Sequence, residues 1–344
     1  MPDPHALLPF ILRLHDRVRE EVLAACLRQT PEERAVVVGE EGGDTIYAID
    51  RVSEQVVVEA LAPWARQDPL CLVMEGLPGG QRVLPEGARE AECTWRLIVD
   101  PIDGTRGLMY QKRSAWILTG VAPNRGAGTR LSDIGLAVQT EIPLVKQHLS
   151  DQCWAVRGQG VEARRFDRLA GTWEALRLQP SQATSIAHGF AMVSRFFPGN
   201  RDVLAAIDDE VMADVLGPSG PGKATCFEDQ YLSTGGQLYE MMAGHDRFVA
   251  DLRPLMAHVQ AERGLPPPVC CHPYDICTAL IARELGVWVT NGMGGPLDAP
   301  LDVETDVAWA GYANPHIRAQ VEPALQRALA RRGLLPSPSP DPHP

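Results

Sequence analysis

The stretch "LIVDPIDGTRG", residues 97–107, carries an apolar run straight into two aspartates, a proline and a glycine. Leu97, Ile98 and Val99, with Trp95 just before them, read as a strand. Pro101 cannot donate to a ladder and forbids regular pairing there, and Gly104-Thr105 reads as a turn opening a helix. Asp100 and Asp103 therefore stand at the end of a buried strand. Carboxylates in that position cost desolvation unless something compensates them, and several converging on one place raise one another's pKa.

Other acidic residues are placed in the same way. Asp44 and Asp50 bracket "TIYAI", Glu75 ends the apolar segment "LCLVM", and Asp275 opens the helical pattern "ICTALIAREL". A hard cation removes the electrostatic difficulty. Mg²⁺ takes oxygen ligands, keeps several waters and is typically held by a few carboxylates plus substrate phosphate. The proline turn lets Asp100 and Asp103 reach neighbouring ions, and the Ile102 carbonyl offers a further oxygen. Gly104 and Thr105 place backbone N–H groups at a helix N-terminus, a favourable position for phosphate.

"DPIDGT" at 100–105, with Glu75 upstream and "YDICTALIARELG" downstream, resembles the inositol monophosphatase family of Mg²⁺-dependent, lithium-sensitive phosphatases, related to fructose-1,6-bisphosphatase and 3'(2'),5'-bisphosphate nucleotidases. The resemblance spans about residues 7–320 and is weakest over 165–225. It implies a layered α-β-α-β-α sandwich of the sugar phosphatase type, a small phosphorylated substrate, two or three Mg²⁺ ions and a homodimer. By the same resemblance Glu75, Asp100, the Ile102 carbonyl, Asp103 and Asp275 ligate metal. Thr105, supported by Asp50, orients the attacking water together with Glu75, and the Gly104 and Thr105 amides hold the phosphate. One ion acidifies the water and another neutralises the leaving oxygen, so no covalent phosphoenzyme is needed.

The chain also departs from that pattern. The family usually writes Gly-Glu-Glu where this chain has "MEG", so Gly76 replaces the second glutamate. A literal "GEE" at 39–41 is a decoy: Glu40 lies 60 residues before Asp100 and ahead of Asp44 and Asp50, whereas Glu75 lies 25 before Asp100. Order selects Glu75 and leaves Glu40-Glu41 as a solvated turn. Tyr274 stands where the family tends to have Trp. After Thr105 the family often continues with Asn-Phe, but here Arg106, Lys112 and Arg113 follow, and Arg106 is placed to meet a second anionic group or a surface carboxylate. "STGGQLYEMMAGHDRFVAD" resembles the family's substrate-side helix and strand, which by that resemblance makes Asp251 a candidate contact for a substrate hydroxyl. An insertion over 252–273 separates it from Asp275 and is placed to reshape the pocket. These departures sustain a competing expectation, a catalytically silent relative that binds a phosphorylated metabolite and regulates a partner.

Composition excludes other classes. The 344 residues are 45% hydrophobic, enough for a large core. Forty-four acidic against 32 basic residues give a net charge of −12 with no Lys/Arg block, which disfavours nucleic acid. The N-terminal apolar run is broken by charges, so neither a signal segment nor a membrane span is expected, and the expected setting is the cytoplasm. Eight scattered cysteines without C-x-x-C read as buried free thiols. "CCHPYDIC" is a poor zinc site because adjacent cysteines do not share one tetrahedron well. "NGMGGPLDAP" lacks the order of a dinucleotide fingerprint. Aspartates three residues apart suit metals better than the two sides of a glycosidic bond.

Along the chain, helical patterns at Leu7–Leu27 and Val52–Trp64 flank "AVVVGEEGGDTIYAID", two strands around a Gly-rich turn. "AWILTGVAP" and "DIGLAVQTEIPLV" extend a meander from the opening strand. Beyond residue 165, helical stretches at 194–216 and 228–244, the strand-like "RFVADLRP" and the helix-then-strand "YDICTALIARELGVWVT" indicate α/β layering. The expected organisation is an N-terminal half over 1–165 with most metal ligands, a substrate-side half over 166–334 and a disordered Pro-rich tail over 335–344.

Overall fold

The computed structural model describes residues 3–41, 44–217 and 223–335. The chain enters through the helix Leu8–Arg28 and the two-stranded ribbon β1 (Val37–Glu41) and β2 (Asp44–Tyr47), then runs into the helix Ala48–Ala65. A large sheet follows: β3 (Leu70–Met74), β4 (Gln81–Leu84), β5 (Trp95–Asp103), β6 (Ala115–Pro123), β7 (Leu136–Ile142), β8 (Leu149–Val156), β9 (Val161–Asp167) and β10 (Thr172–Ala175). Their order is β10-β9-β8-β7-β6-β5-β3-β4, with β3 and β5 parallel and the run from β5 to β10 an antiparallel meander. The smaller sheet has the order β11-β12-β14-β13, from β11 (Phe190–Val193), β12 (Asp246–Asp251), β13 (Trp288–Thr290) and β14 (Trp309–Tyr312).

Period-two alternation explains the layering. In β3, Leu70, Leu72 and Met74 face one side, where they pack with Ile11, Val18, Val57 and Leu61 of the helices Leu8–Arg28 and Ala48–Ala65. Cys71 and Val73 face the other side, toward a middle layer of short helices that contributes Leu238, Met241, Ile276 and Ile281. Met192, Val249 and Trp309 of the smaller sheet close that layer from beyond. The outer face of the smaller sheet, with Val193, Phe248 and Tyr312, is covered by the helices Arg201–Leu216 and Pro315–Arg331. The result is the α-β-α-β-α sandwich, four apolar interfaces between five layers.

Several local expectations change. The second helix begins at Ala48, four residues before the apolar stripe, because Asp50 caps its own first turn by accepting the Tyr47 N–H at 2.8 Å. Glu40 and Glu41 end β1 rather than forming the turn. The "GLPGGQRVLPEGARE" loop contains β4. The stretch 194–216 is helical only over Arg201–Leu216, after the Pro-Gly break, and 228–244 only over Thr234–Met242. "YDICTALIAREL" is two short helices, Pro273–Ile276 and Ala279–Glu284. Leu335, the first residue of the expected tail, packs on the outer core, and residues 336–344 lie outside the described residues. Seven of the eight free cysteines are buried and Cys226 is half-buried. Among the described residues no helix is long and apolar enough to cross a membrane.

Candidate active site

β5 is the strand on which the site is built. Residues 100 and 103 are an odd number apart, so in a regular strand their side chains would leave opposite faces. The β5–β6 register shifts between Asp100, opposite Leu118, and Asp103, opposite Trp116. Pro101 removes a donor at this point, and the Asp100 carboxylate accepts the Ile102 N–H at 2.9 Å. The break turns both carboxylates toward Asp275, on the helix Pro273–Ile276. One oxygen of each of the three lies within 4.8 Å of the others, the one such group of potential metal ligands found among the described residues.

Burial sets the electrostatics of the trio. Asp100 is pushed well above the usual carboxylate range by burial and then by the charges of Asp103, Asp275 and Glu75. Asp275 is raised to about 7 by burial and Asp103, although the His272 N–H donates to it at 2.6 Å. Asp103 rises to about 6 through burial, against the amides and hydroxyl that favour its charged form. Those donors are the Ser233 hydroxyl at 2.8 Å and the N–H groups of Thr234 at 3.3 Å and Gly235 at 2.5 Å. Asp103 thus caps the helix Thr234–Met242 from another element.

Beside the trio lies a cavity of about 90 Å³ lined by Asp50, Glu54, Glu75, Asp100, Ile102, Gly104, Thr105 and Asp275, among others. Its floor is the turn after β5. The Thr105 hydroxyl lies 2.8 Å from Asp50 Oδ1 and 2.9 Å from the Ile102 carbonyl oxygen, and its single proton serves one acceptor at a time. Gly104 has φ +96, and a β-carbon there would approach the Ser233 β-carbon to 3.0 Å, so glycine suits the turn on both counts. Tyr274 supplies an aromatic wall.

The sequence by itself matches no family model and no curated protein. Solved structures are similar over nearly the whole chain. Extragenic suppressor protein suhB from Bartonella henselae aligns at TM-score 0.63 and 16% identity, covering 94% of this chain and 99% of that one. Leishmania major fructose-1,6-bisphosphatase aligns at 0.65 and 12%, covering 94% of each. An inositol monophosphatase-fructose 1,6 bisphosphatase aligns at 0.62 and 16%, covering 92% and 98%. The chain has the inositol monophosphatase fold.

On this inositol monophosphatase fold, Glu75, Asp50, Thr105, Asp100, Ile102, Gly104 and Asp275 line one cavity, and Asp103 lies beneath it against Asp100. Two residues singled out in the sequence lie elsewhere. Arg106 lines a neighbouring cavity, its guanidinium 5.3 Å from the Phe197 ring centre and 5.8 Å from that of Tyr47. Asp251 is fully buried and clasped by Arg253, whose Nε lies 2.8 Å from Oδ1. That pair occupies the carboxylate, so Asp251 does not present it to the cavity. Arg253 belongs to the 252–273 insertion, and its buried charge favours the ionised forms of Asp103 and Asp275.

One cavity residue escapes the sequence reading. Glu54 follows Asp50 by one helical turn, so both reach the same side of the helix Ala48–Ala65. That i,i+4 spacing was the available signal. Gly76, with φ +81, leaves the room that the Glu54 carboxylate fills.

Proposed function

We propose that the chain is a Mg²⁺-dependent phosphomonoesterase that hydrolyses a small phosphorylated metabolite, such as an inositol or sugar phosphate or a nucleotide 3'-phosphate. The observation that carries the reading is the convergence of Asp100, Asp103 and Asp275 within 4.8 Å. The donor set fits the ion: it is all oxygen, Asp100 and Asp103 are buried and Asp275 half-buried, and its members repel one another's charge until a cation is present. Imidazole or thiolate ligands, suited to softer metals, are not part of it.

Asp100, Asp103, Asp275, Glu75 and the Ile102 carbonyl would hold two or three Mg²⁺ ions. Bound Mg²⁺ supplies Lewis-acid polarisation of the phosphoryl oxygens and lowers the pKa of water. The chain's own work is positioning. Asp50 accepts from Thr105, which would leave the Thr105 oxygen free to accept from the attacking water, and Glu75, which lines the same cavity, would take that water's proton. The Gly104 and Thr105 N–H groups, at the start of the helix Thr105–Met109 and in the lining of the cavity, would hold the phosphate. The resemblance adds a homodimer to the reading, and the proposed setting is the cytoplasm.

The test is inorganic phosphate release from inositol, sugar, histidinol and 3',5'-nucleotide phosphates, with Mg²⁺ and with EDTA, using Asp100→Asn as the blank. Metal-dependent release above that blank from one substrate class is the expected result. Silence across the panel while Mg²⁺ still binds would transfer the weight to a silent, metabolite-binding regulator.

A further inference from the structure

We propose that the cavity next to the acidic one is a subsite for a second anionic group, phosphate or carboxylate, carried by the same substrate; this rests on the phosphatase reading. The acidic cavity, about 90 Å³, is well below the roughly 300–1,000 Å³ usual for small-molecule sites. It accommodates the reacting phosphate, so the leaving alcohol must extend out of it. The neighbouring cavity, about 470 Å³, starts at the next residues of the chain: Gly104 and Thr105 line the first, Arg106 and Gly107 the second.

The second cavity has the opposite charge. Arg106, Lys112 and Arg113 enter it from the segment after Thr105, and Arg195 and Arg201 from the segment after β11, and no acidic side chain is among its described lining residues. Arg113 is balanced by Asp229 at 2.9 Å, and Arg195 by Asp208 at 3.3 Å and by Glu228. Lys112 and Arg201 make no ion pair among the described residues; the Arg201 guanidinium donates to the Phe196 carbonyl.

Arg201 is also the first residue of the helix Arg201–Leu216, whose N-cap Asn200 makes no side-chain capping bond. A cation at a helix N-terminus opposes the macrodipole, and an anion in the cavity reverses that cost, meeting the helix end and the guanidinium together. Tyr231 and Phe196 supply apolar walls for the carbon skeleton. Arg106, Lys112 and Arg113 follow Thr105 where the resembled family continues with Asn-Phe, so this subsite is a feature of this chain.

The experiment uses matched pairs: fructose 1,6-bisphosphate against fructose 1-phosphate, a nucleoside 3',5'-bisphosphate against the 3'-monophosphate, and 2-phosphoglycerate against glycerol 2-phosphate. KM is measured with Mg²⁺, and Kd by calorimetry with Ca²⁺ in its place. At least one doubly anionic member should show a KM or Kd at least ten-fold below its partner, and the bisphosphate and carboxylate arms tell which anion is preferred. Lys112→Ala and Arg201→Ala should erase most of that ratio, with the larger loss on the doubly anionic member. Equal constants within every pair, or variants that weaken both members equally, would overturn the subsite. If nothing is hydrolysed, the phosphatase reading fails, and the Ca²⁺ titrations alone decide the subsite by the same ratio.

Discussion

The carboxylate of Glu54 lies directly against Gly76: a β-carbon on that glycine would sit 2.2 Å from Glu54 Oε1 and 2.7 Å from Oε2. The place that a side chain at 76 would take is filled by an acid from a different element. The resembled family's second glutamate is missing from its usual position, and a carboxylate reaches the cavity from the helix Ala48–Ala65 instead.

Gly76→Ala should therefore act through Glu54. The carboxylate is the mobile end of its side chain and swings away, while the left-handed backbone at 76 adds about 1–2 kcal/mol of strain. Turnover is expected to fall roughly 10- to 100-fold with the fold retained. Glu54→Ala should be comparably impaired, and the double variant should lose less than the product of the two, as a double-mutant cycle on kcat/KM would show. Multiplicative losses would mean that the two residues act separately.

Asp100→Asn should abolish turnover and yet stabilise the metal-free protein. Burial and its acidic neighbours raise the folded-state pKa of Asp100, so at pH 7 this acid costs stability relative to the unfolded chain, and its neutral isostere does not. Mg²⁺ should raise the melting temperature of the wild-type protein, by about 2.7 kcal/mol of stabilisation at a hundredfold excess over Kd, and leave the variant unmoved. Scanning calorimetry with Mg²⁺ and with EDTA checks both. Glu75→Gln should impair activity far more than Glu40→Gln, and equal effects would refute the choice of Glu75.

Gly235→Ala tests the helix that Asp103 caps. A β-carbon at 235 would lie 2.9 Å from Asp103 Oδ2 and 2.5 Å from a methyl of Leu118, so the carboxylate or the helix end must shift. The expected result is a Mg²⁺ midpoint raised about ten-fold, equivalent to about 1.4 kcal/mol, in a protein whose circular dichroism is unchanged. An unaltered midpoint would show that the cap does not position Asp103.

His15 gives the protein an acid-side liability outside the cavity. It is fully buried between the hydroxyls of Thr140 at 2.9 Å and Thr119 at 2.8 Å, and burial, reinforced by Arg19, lowers its pKa to about 3. The folded state thus holds it neutral while the unfolded chain protonates below about 6.5, so stability falls as pH drops from 6.5 toward 3. The slope from this group is about 1.4 kcal/mol per pH unit, or about 2 kcal/mol between pH 6.5 and 5. Urea midpoints of wild type and His15→Asn at pH 7 and pH 5 should differ in pH dependence by that amount, whatever the variant's stability at pH 7.

The site was more legible than the scaffold. "DPIDGT" compresses two of the three converging acids, a turn and a helix start into consecutive residues, so local chemistry was enough to find them. Glu75 was recoverable from its order in the chain and from the apolar strand before it. Glu54 was not, because its place depends on how the loop at Gly76 closes on a distant helix. Asp251 read as a cavity residue at a strand end, but its partner Arg253 lies in an insertion whose path no spacing reveals. The polar strand β9, "VEARRFD", escaped notice because neither face alternates cleanly, and the helix Pro315–Arg331 carries Pro323 inside it.

The paired registers on either side of Pro101 make β5 a strand that cannot slide. Moving it by one residue would have to break the Asp100–Leu118 and Asp103–Trp116 pairings together, within the middle of an eight-stranded sheet. Asp275 stands on a four-residue helix reached through the long insertion. The three acids are therefore arranged as a caliper, with one jaw cut into the sheet and the other on a separate short helix. Sequence drift in the insertion acts on the jaw that carries Asp275 and spares the strand on which the rest of the architecture depends.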